Sequence, residues 1–153
     1  MKRVEVKLSL PVVAPLLDVV KAAVDSLQGD LAAPLAMKDI EGEFRDAWNG
    51  ELLGGQNEDL RTLLALFDSE FFATGVIGFD EVNAEAIVRA CSAVRLRLRA
   101  RFIAGVEDEK LESGEVDLGR LDEAVRKAFM CYLFLATIQE VIIQHLDSSI
   151  LES

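Results

Sequence analysis

The chain has 153 residues, a formal net charge of −11 and a sequence pI near 4.5, with 51% apolar and 28% charged residues. That length suits one domain with one core, and that balance excludes intrinsic disorder, while only two cysteines exclude a disulfide-framed secreted scaffold. The acidic charge disfavours nucleic acid and anionic membranes as partners, and the charged Met1 to Lys7 carries no signal-peptide core; the longest apolar stretch, Ala128 to Ala136, is far short of the ~20 residues that span a bilayer, so a cytoplasmic protein without a membrane partner is expected.

Lys2 to Leu10 alternates, with Val4, Val6, Leu8 and Leu10 on one side and Arg3, Glu5, Lys7 and Ser9 on the other, the period of a half-buried strand. Its candidate partner is Gly75 to Phe79, which would make a small two-stranded ribbon. Pro11 suits a first helical turn, but Pro15 disfavours an interior position, so the first regular helix is expected to start at Pro15. It carries Leu16, Leu17, Val20, Ala23, Val24 and Leu27 at helical spacing and ends at Gly29.

A second, amphipathic helix is expected over Lys38 to Leu53, with Ile40, Phe44, Ala47 and Trp48 on its apolar side and Gly54-Gly55 as its stop. Asn57 reads as the N-cap of a third helix with the stripe Leu60, Leu63, Leu64, Phe67 and Phe71, closed by Gly75. Asp80 reads as the cap of a fourth, running to about Ala104 with Ile87, Cys91, Val94, Leu98 and Phe102 on one face. Within it Val94 to Phe102 alternates with period two, so a strand competes; the helix is favoured because Leu, Arg and Ala form helices well and no turn signal intervenes. Gly105 to Gly119 is acidic and reads as a solvated loop.

The last helix, roughly Leu118 to Asp147 with Asp117 or a neighbour as cap, is the longest apolar element. Leu121, Val125, Ala128, Phe129, Tyr132, Leu135, Ala136, Ile142, Ile143 and Leu146 form its stripe, and Met130, Leu133 and Phe134 flank it. A helix apolar nearly all round in its middle belongs at the centre of a bundle or at an oligomer interface. The resulting fold class is mostly α: a single helical domain over residues 1–153, a bundle of about five helices around the central C-terminal helix, with the short two-stranded ribbon as an optional addition.

No catalytic constellation emerges. His145 is the only histidine and stands near a helix end, Ile142 rather than a glutamate precedes it by three residues, and the acidic segment lacks calcium-loop spacing, so no metal is expected. Gly-rich phosphate loops and the Gly-x-Ser-x-Gly elbow are absent, and no cofactor is expected. Cys91 and Cys131 sit in apolar surroundings and read as reduced packing residues.

The densest feature is the series Arg89, Arg95, Arg97, Arg99 and Arg101, with no acidic residue between Glu85 and Glu107. On a helix Arg95 and Arg99 share one face and Arg97 and Arg101 another; on a strand the last four would line one anion-binding strip. Pairing with the protein's own carboxylates or with an acidic partner is the simplest fate for these guanidinium forks. Gln139 falls on the apolar stripe of the last helix, where it requires a hydrogen-bond partner such as a backbone group or an arginine.

Four segments in order resemble an uncharacterised bacterial family of helical proteins often encoded beside the Clp protease adaptor. They are Val6-Lys7-Leu8-Ser9-Leu10, Ala84-Glu85-Ala86-Ile87, the run Arg95 to Phe102 followed by Val106-Glu107-Asp108, and Tyr132-Leu133 leading to Ile138-Gln139-Glu140. The family's tryptophan and Asn-Asp pair are replaced here by Val88 and Ser92-Ala93. The resemblance implies a helix over Val82 to Ala104 and marks Arg95 and Gln139 as family positions, but implies no activity.

The function expected from these features is a non-enzymatic interaction or regulatory module that binds a protein partner or a second copy of itself. The alternative is a binder of an anionic ligand or nucleic acid through the 95–101 arginine segment.

Overall fold

The computed structural model describes residues 2–33, 42–103, 119 and 121–146. The start of the expected second helix and nearly all of the acidic 105–119 segment, with Asp117, lie outside them.

The N-terminal alternation becomes strand β1, Arg3–Lys7, paired antiparallel with β2, Val76–Asp80, so the ribbon forms. Val4 faces Phe79 and Val6 faces Ile77, and these four side chains lie over the helices while Arg3, Glu5 and Lys7 face outward. Leu8 continues the pairing by donating to the Gly75 carbonyl at 2.7 Å.

Helix α1, Leu10–Leu27, begins five residues before Pro15, correcting the expected start. Proline costs an interior helix one hydrogen bond. Here both Pro11 and Pro15 are exposed, so the carbonyl deprived of its donor stands at the solvent side, while Val13, Leu16, Val20, Ala23, Val24 and Leu27 bury the other face.

Helix α2, Gly42–Leu64, runs straight through Gly54-Gly55, where two helices were expected. Gln56 and Asn57 explain the continuity. Gln56 Nε2 donates to the carbonyls of Leu27 and Asp30 (2.9 and 3.1 Å), its Oε1 accepts from Ala32 N (3.0 Å), and Asn57 Nδ2 donates to the Gln28 carbonyl (3.0 Å). Asn57, which reads as an N-cap, therefore sits inside one helix and satisfies the carbonyl of Gln28 at the end of another. These bonds, with buried Leu60 and Leu63, offset the ~1 kcal/mol that each glycine costs a helix interior. A Cβ built on Gly54 meets no atom within 4 Å. Gly54→Ala is thus expected to raise stability by about 0.5–1 kcal/mol in urea unfolding; a decrease would reveal a backbone approach at this position.

The chain breaks instead after Leu64. Asp68 Oδ1 accepts from Phe71 N at 3.0 Å and caps the six-residue helix α3, Ser69–Thr74. Gly75 ends it at φ +75°, where any Cβ would lie 2.8 Å from the Leu8 carbonyl oxygen; only glycine turns the chain here into β2.

Asp80 and Asn83 then bond reciprocally, Asp80 Oδ1 accepting from Val82 N and Asn83 N and Asn83 Oδ1 accepting from Asp80 N, and launch helix α4, Ala84–Arg97. Its last turn widens into a π-helical turn, Leu98–Phe102, closed by Ile103 N donating to the Leu98 carbonyl. Residues 94–102 are therefore helical and not a strand. The wide turn holds an extra residue, which shifts the buried face: Ile103 is inside and Phe102, expected on the core stripe, is exposed.

The C-terminal helix α5, Glu123–His145, starts later than expected, where Asp122 accepts from Val125 N at 2.9 Å. It buries Ala128, Phe129, Cys131, Tyr132, Leu135, Ile138, Gln139 and Ile142; Ile143, expected inside, is 55% exposed. By length and composition alone α5 could cross a membrane, yet nearly half of its apolar window is buried within the protein, the pattern also shown by a core helix. Helix α4 packs on α1, α2 and α5, and α5 packs on α1, α4 and the π-turn, so the two helices share the centre of this mostly α fold.

Candidate functional site

The π-turn and the residues before it distribute the arginines to different neighbours. Arg97 is 4% exposed; its Nη2 donates to Asp30 Oδ2 at 2.7 Å and its Nη1 to the Ser26 carbonyl at 3.4 Å. Arg101 reaches the same carboxylate oxygen at 3.5 Å from the exposed side. Arg89 forms a bidentate pair with Asp59 (2.9 and 3.0 Å) and bonds Glu85 at 2.6 Å, and the Asp59 hydrogen bonds push its pKa up. Arg99 is half-buried and also interacts within the protein. The helix thus dissolves the anion-binding strip that a strand would have made.

Arg95 differs, because its partners are neutral. Its Nη1 donates to Gln139 Oε1 at 2.8 Å, its Nη2 to the Tyr132 hydroxyl at 3.0 Å, and its guanidinium carbon lies 4.4 Å from the Tyr132 ring centroid. Gln139, 8% exposed, completes the network by donating to the Val88 carbonyl (2.9 Å) and to Ser92 Oγ (2.8 Å). Each hydrogen-bonding group of the Gln139 amide is thereby used, and a polar side chain on an apolar stripe joins α5 to α4. The arginine-glutamine contact anticipated from sequence exists; Tyr132, Ser92 and the Val88 carbonyl were not assigned to it.

Cys91 on α4 and Cys131 on α5 are buried and unbonded, and burial pushes both thiols up to about 12, the nearby Arg95 charge opposing this at Cys91. Both groups are neutral in either state below their ordinary pKa near 9; above it the unfolded chain ionises first. Thiol-linked stability should therefore be intact below pH 9 and fall as pH rises toward 12, and native protein at pH 8 should resist maleimide that labels both thiols in denaturant. Labelling of the native state would show that the α4–α5 seam opens.

The outer side of the same α4 residues meets α2. Leu31, Ala33, Leu52, Gly55, Ala93 and Leu96 line an open, mainly apolar groove of about 510 Å³, with Glu51, Gln56, Asp59, Arg89 and Ser92 as its polar members. Phe44, Trp48 and Leu52 stand on one face of α2 leading to it. Phe44 is 55% and Trp48 44% exposed, with rings stacked at 6.2 Å, so residues expected to bury this helix against the core form an outward ridge instead. Leu96 is exposed across the groove.

Among the described residues no group of three or more metal-ligating side chains comes together, and His145 is exposed at the end of α5.

A family model described as a domain of unknown function, DUF2017, matches residues 13–146. The chain belongs to the DUF2017 family. The match takes in α2 to α5 and most of α1, including both the Arg95–Gln139 network and the groove, and leaves out β1. No curated protein and no solved structure matches the chain. Membership of a family of unknown function agrees with the uncharacterised character implied by the four sequence segments, and DUF2017 membership by itself assigns no activity to these residues.

The exposed ridge of this DUF2017 chain had a faint sequence signal. Phe44, Trp48 and Leu52 follow helical spacing, but the helix also carries Gly42, Gly50, Gly54 and Gly55, and a glycine-rich helix is a poor element for a core.

Proposed function

We propose that this protein acts by binding another protein chain, as a non-enzymatic interaction or regulatory module of the bacterial cytoplasm. The observation that carries this reading is the aromatic ridge Phe44-Trp48-Leu52 opening onto the apolar groove under Leu96. Large apolar side chains grouped on a surface lower the free energy when a partner removes them from water. A position beside a Clp protease adaptor, as the sequence resemblance implies, agrees with a protein whose role is recognition. The anionic-ligand alternative loses support because Arg89, Arg97 and Arg101 pair with internal carboxylates and Arg95 is turned into the α4–α5 seam.

Affinity purification from the native cell, comparing wild type with Trp48→Glu, tests the reading. A folded Trp48→Glu variant should lose a stoichiometric partner that the wild type retains. An unchanged set of co-purifying proteins would remove the ridge as an interaction surface.

A further inference from the structure

The ridge and groove carry an inference about the kind of partner, which rests on the interaction reading above. We propose that the groove between α2 and α4 receives a basic amphipathic helix of a partner protein, with apolar side chains seated over Gly55 and lysines or arginines along the Glu51-Glu58 flank.

Three features of α2 favour an external occupant. None of its residues before Leu60 is buried, although the helix starts at Gly42 and carries four glycines. A glycine-rich helical segment without a buried face is marginal in water, so cover from outside would supply what its own core does not. Gly55 lies on the groove floor, and a Cβ there meets nothing within 4 Å; the space above it is open to side chains of another molecule. The anchors Phe44, Trp48 and Leu52 follow one another at four-residue steps, which is the way one helix presents a face to another.

Charge selects the occupant. Asp59 and Glu85 are held by Arg89, but Glu51 on the groove wall and Glu58, two turns along the same side of α2 and beyond the groove lining, near Arg61, have no ion pair among the described residues. Arg45 falls on the opposite flank of the helix. A second copy brings another net −11, and two-fold pairing centred on this stretch of α2 sets Glu51 against its equivalent. A segment with basic flanks brings the complementary charge, which speeds encounter and fixes register.

Trp48 is the only tryptophan, so its emission reports directly on cover of the ridge. The probes are two synthetic amphipathic peptides of about 18 residues with the same leucine face, one flanked by lysines and one by glutamates. The lysine peptide should shift Trp48 emission to the blue with saturable binding that weakens as salt rises, and the glutamate peptide should not. Glu51→Lys with Glu58→Lys should weaken the lysine peptide at least about tenfold. Gly55→Leu should fill the groove and abolish binding while its thermal midpoint matches or exceeds the wild type, which separates blocking from misfolding.

Equal binding of both peptides, full binding to Gly55→Leu, or no binding by the lysine peptide would each overturn the proposal. A concentration-dependent dimer in sedimentation that itself shifts Trp48 emission would overturn it in favour of a second copy. If the lysine peptide fails while Trp48→Glu still loses a native partner, the basic-helix class falls and the interaction reading stands; if that partner is retained, the interaction reading falls with it.

Discussion

Gln139→Leu is expected to destabilise the fold by about 2–4 kcal/mol, because one substitution strips the Arg95 guanidinium, the Val88 carbonyl and the Ser92 hydroxyl of a common partner. Leucine conserves the bulk, so the loss reports the hydrogen bonds rather than a cavity. Gln139 itself is nearly closed to water, so the Arg95 guanidinium and the Val88 carbonyl lose a buried partner there, whereas the exposed Ser92 hydroxyl can turn to water. The decisive comparison is the cycle with Arg95→Met. The double variant should recover about 1–3 kcal/mol relative to the sum of the singles, since the guanidinium no longer needs an acceptor. Additivity within about 0.5 kcal/mol in urea unfolding would show that Arg95 and Gln139 act independently.

Phe129→Ala should cost about 3–5 kcal/mol. Phe129 is 1% exposed on α5, the helix that packs on both α1 and α4, and neighbours drawn from several elements cannot all collapse into the vacated volume. The expected readout is a midpoint lowered by roughly 10 °C with a cooperative transition. A loss below about 1 kcal/mol would mean that the α5 surface repacks freely and is not the rigid centre described above. Ile143→Ala, on the exposed side of the same helix, serves as the comparison and should change stability by less than about 0.5 kcal/mol.

These two variants probe features with different visibility in the chain. The apolar character of α5 and the oddity of Gln139 are local patterns, readable from spacing. The partners of Gln139 come from residues 88, 92 and 95, more than forty positions away, and nothing in spacing distinguishes them from other polar groups on α4. Arg97 and Arg101 likewise look equivalent in sequence to Arg95 and Arg99. Their shared acceptor, Asp30, follows the end of α1, and only the packing of α4 against that helix brings the groups together. The exposure of the ridge is hidden in the sequence for a related reason. Helical spacing of Phe44 and Trp48 shows that they share a face, but whether a neighbour covers that face depends on where the other helices lie.

Hydrophobic period and turn-forming residues act through near neighbours, so the mostly α class, the N-terminal strand with its ribbon partner, and most of the buried faces of α1, α4 and α5 are legible in the chain alone, Phe102 and Ile143 being the exceptions. The placement of whole elements against one another settles that α2 continues through Gly54-Gly55, that a π-turn brings Ile103 inward, that the arginines part company, and that Trp48 faces outward. At Gly54-Gly55 a local preference worth about 1 kcal/mol yields to contacts from distant parts of the chain, whereas at Trp48 no distant element covers a face that spacing alone marks as apolar.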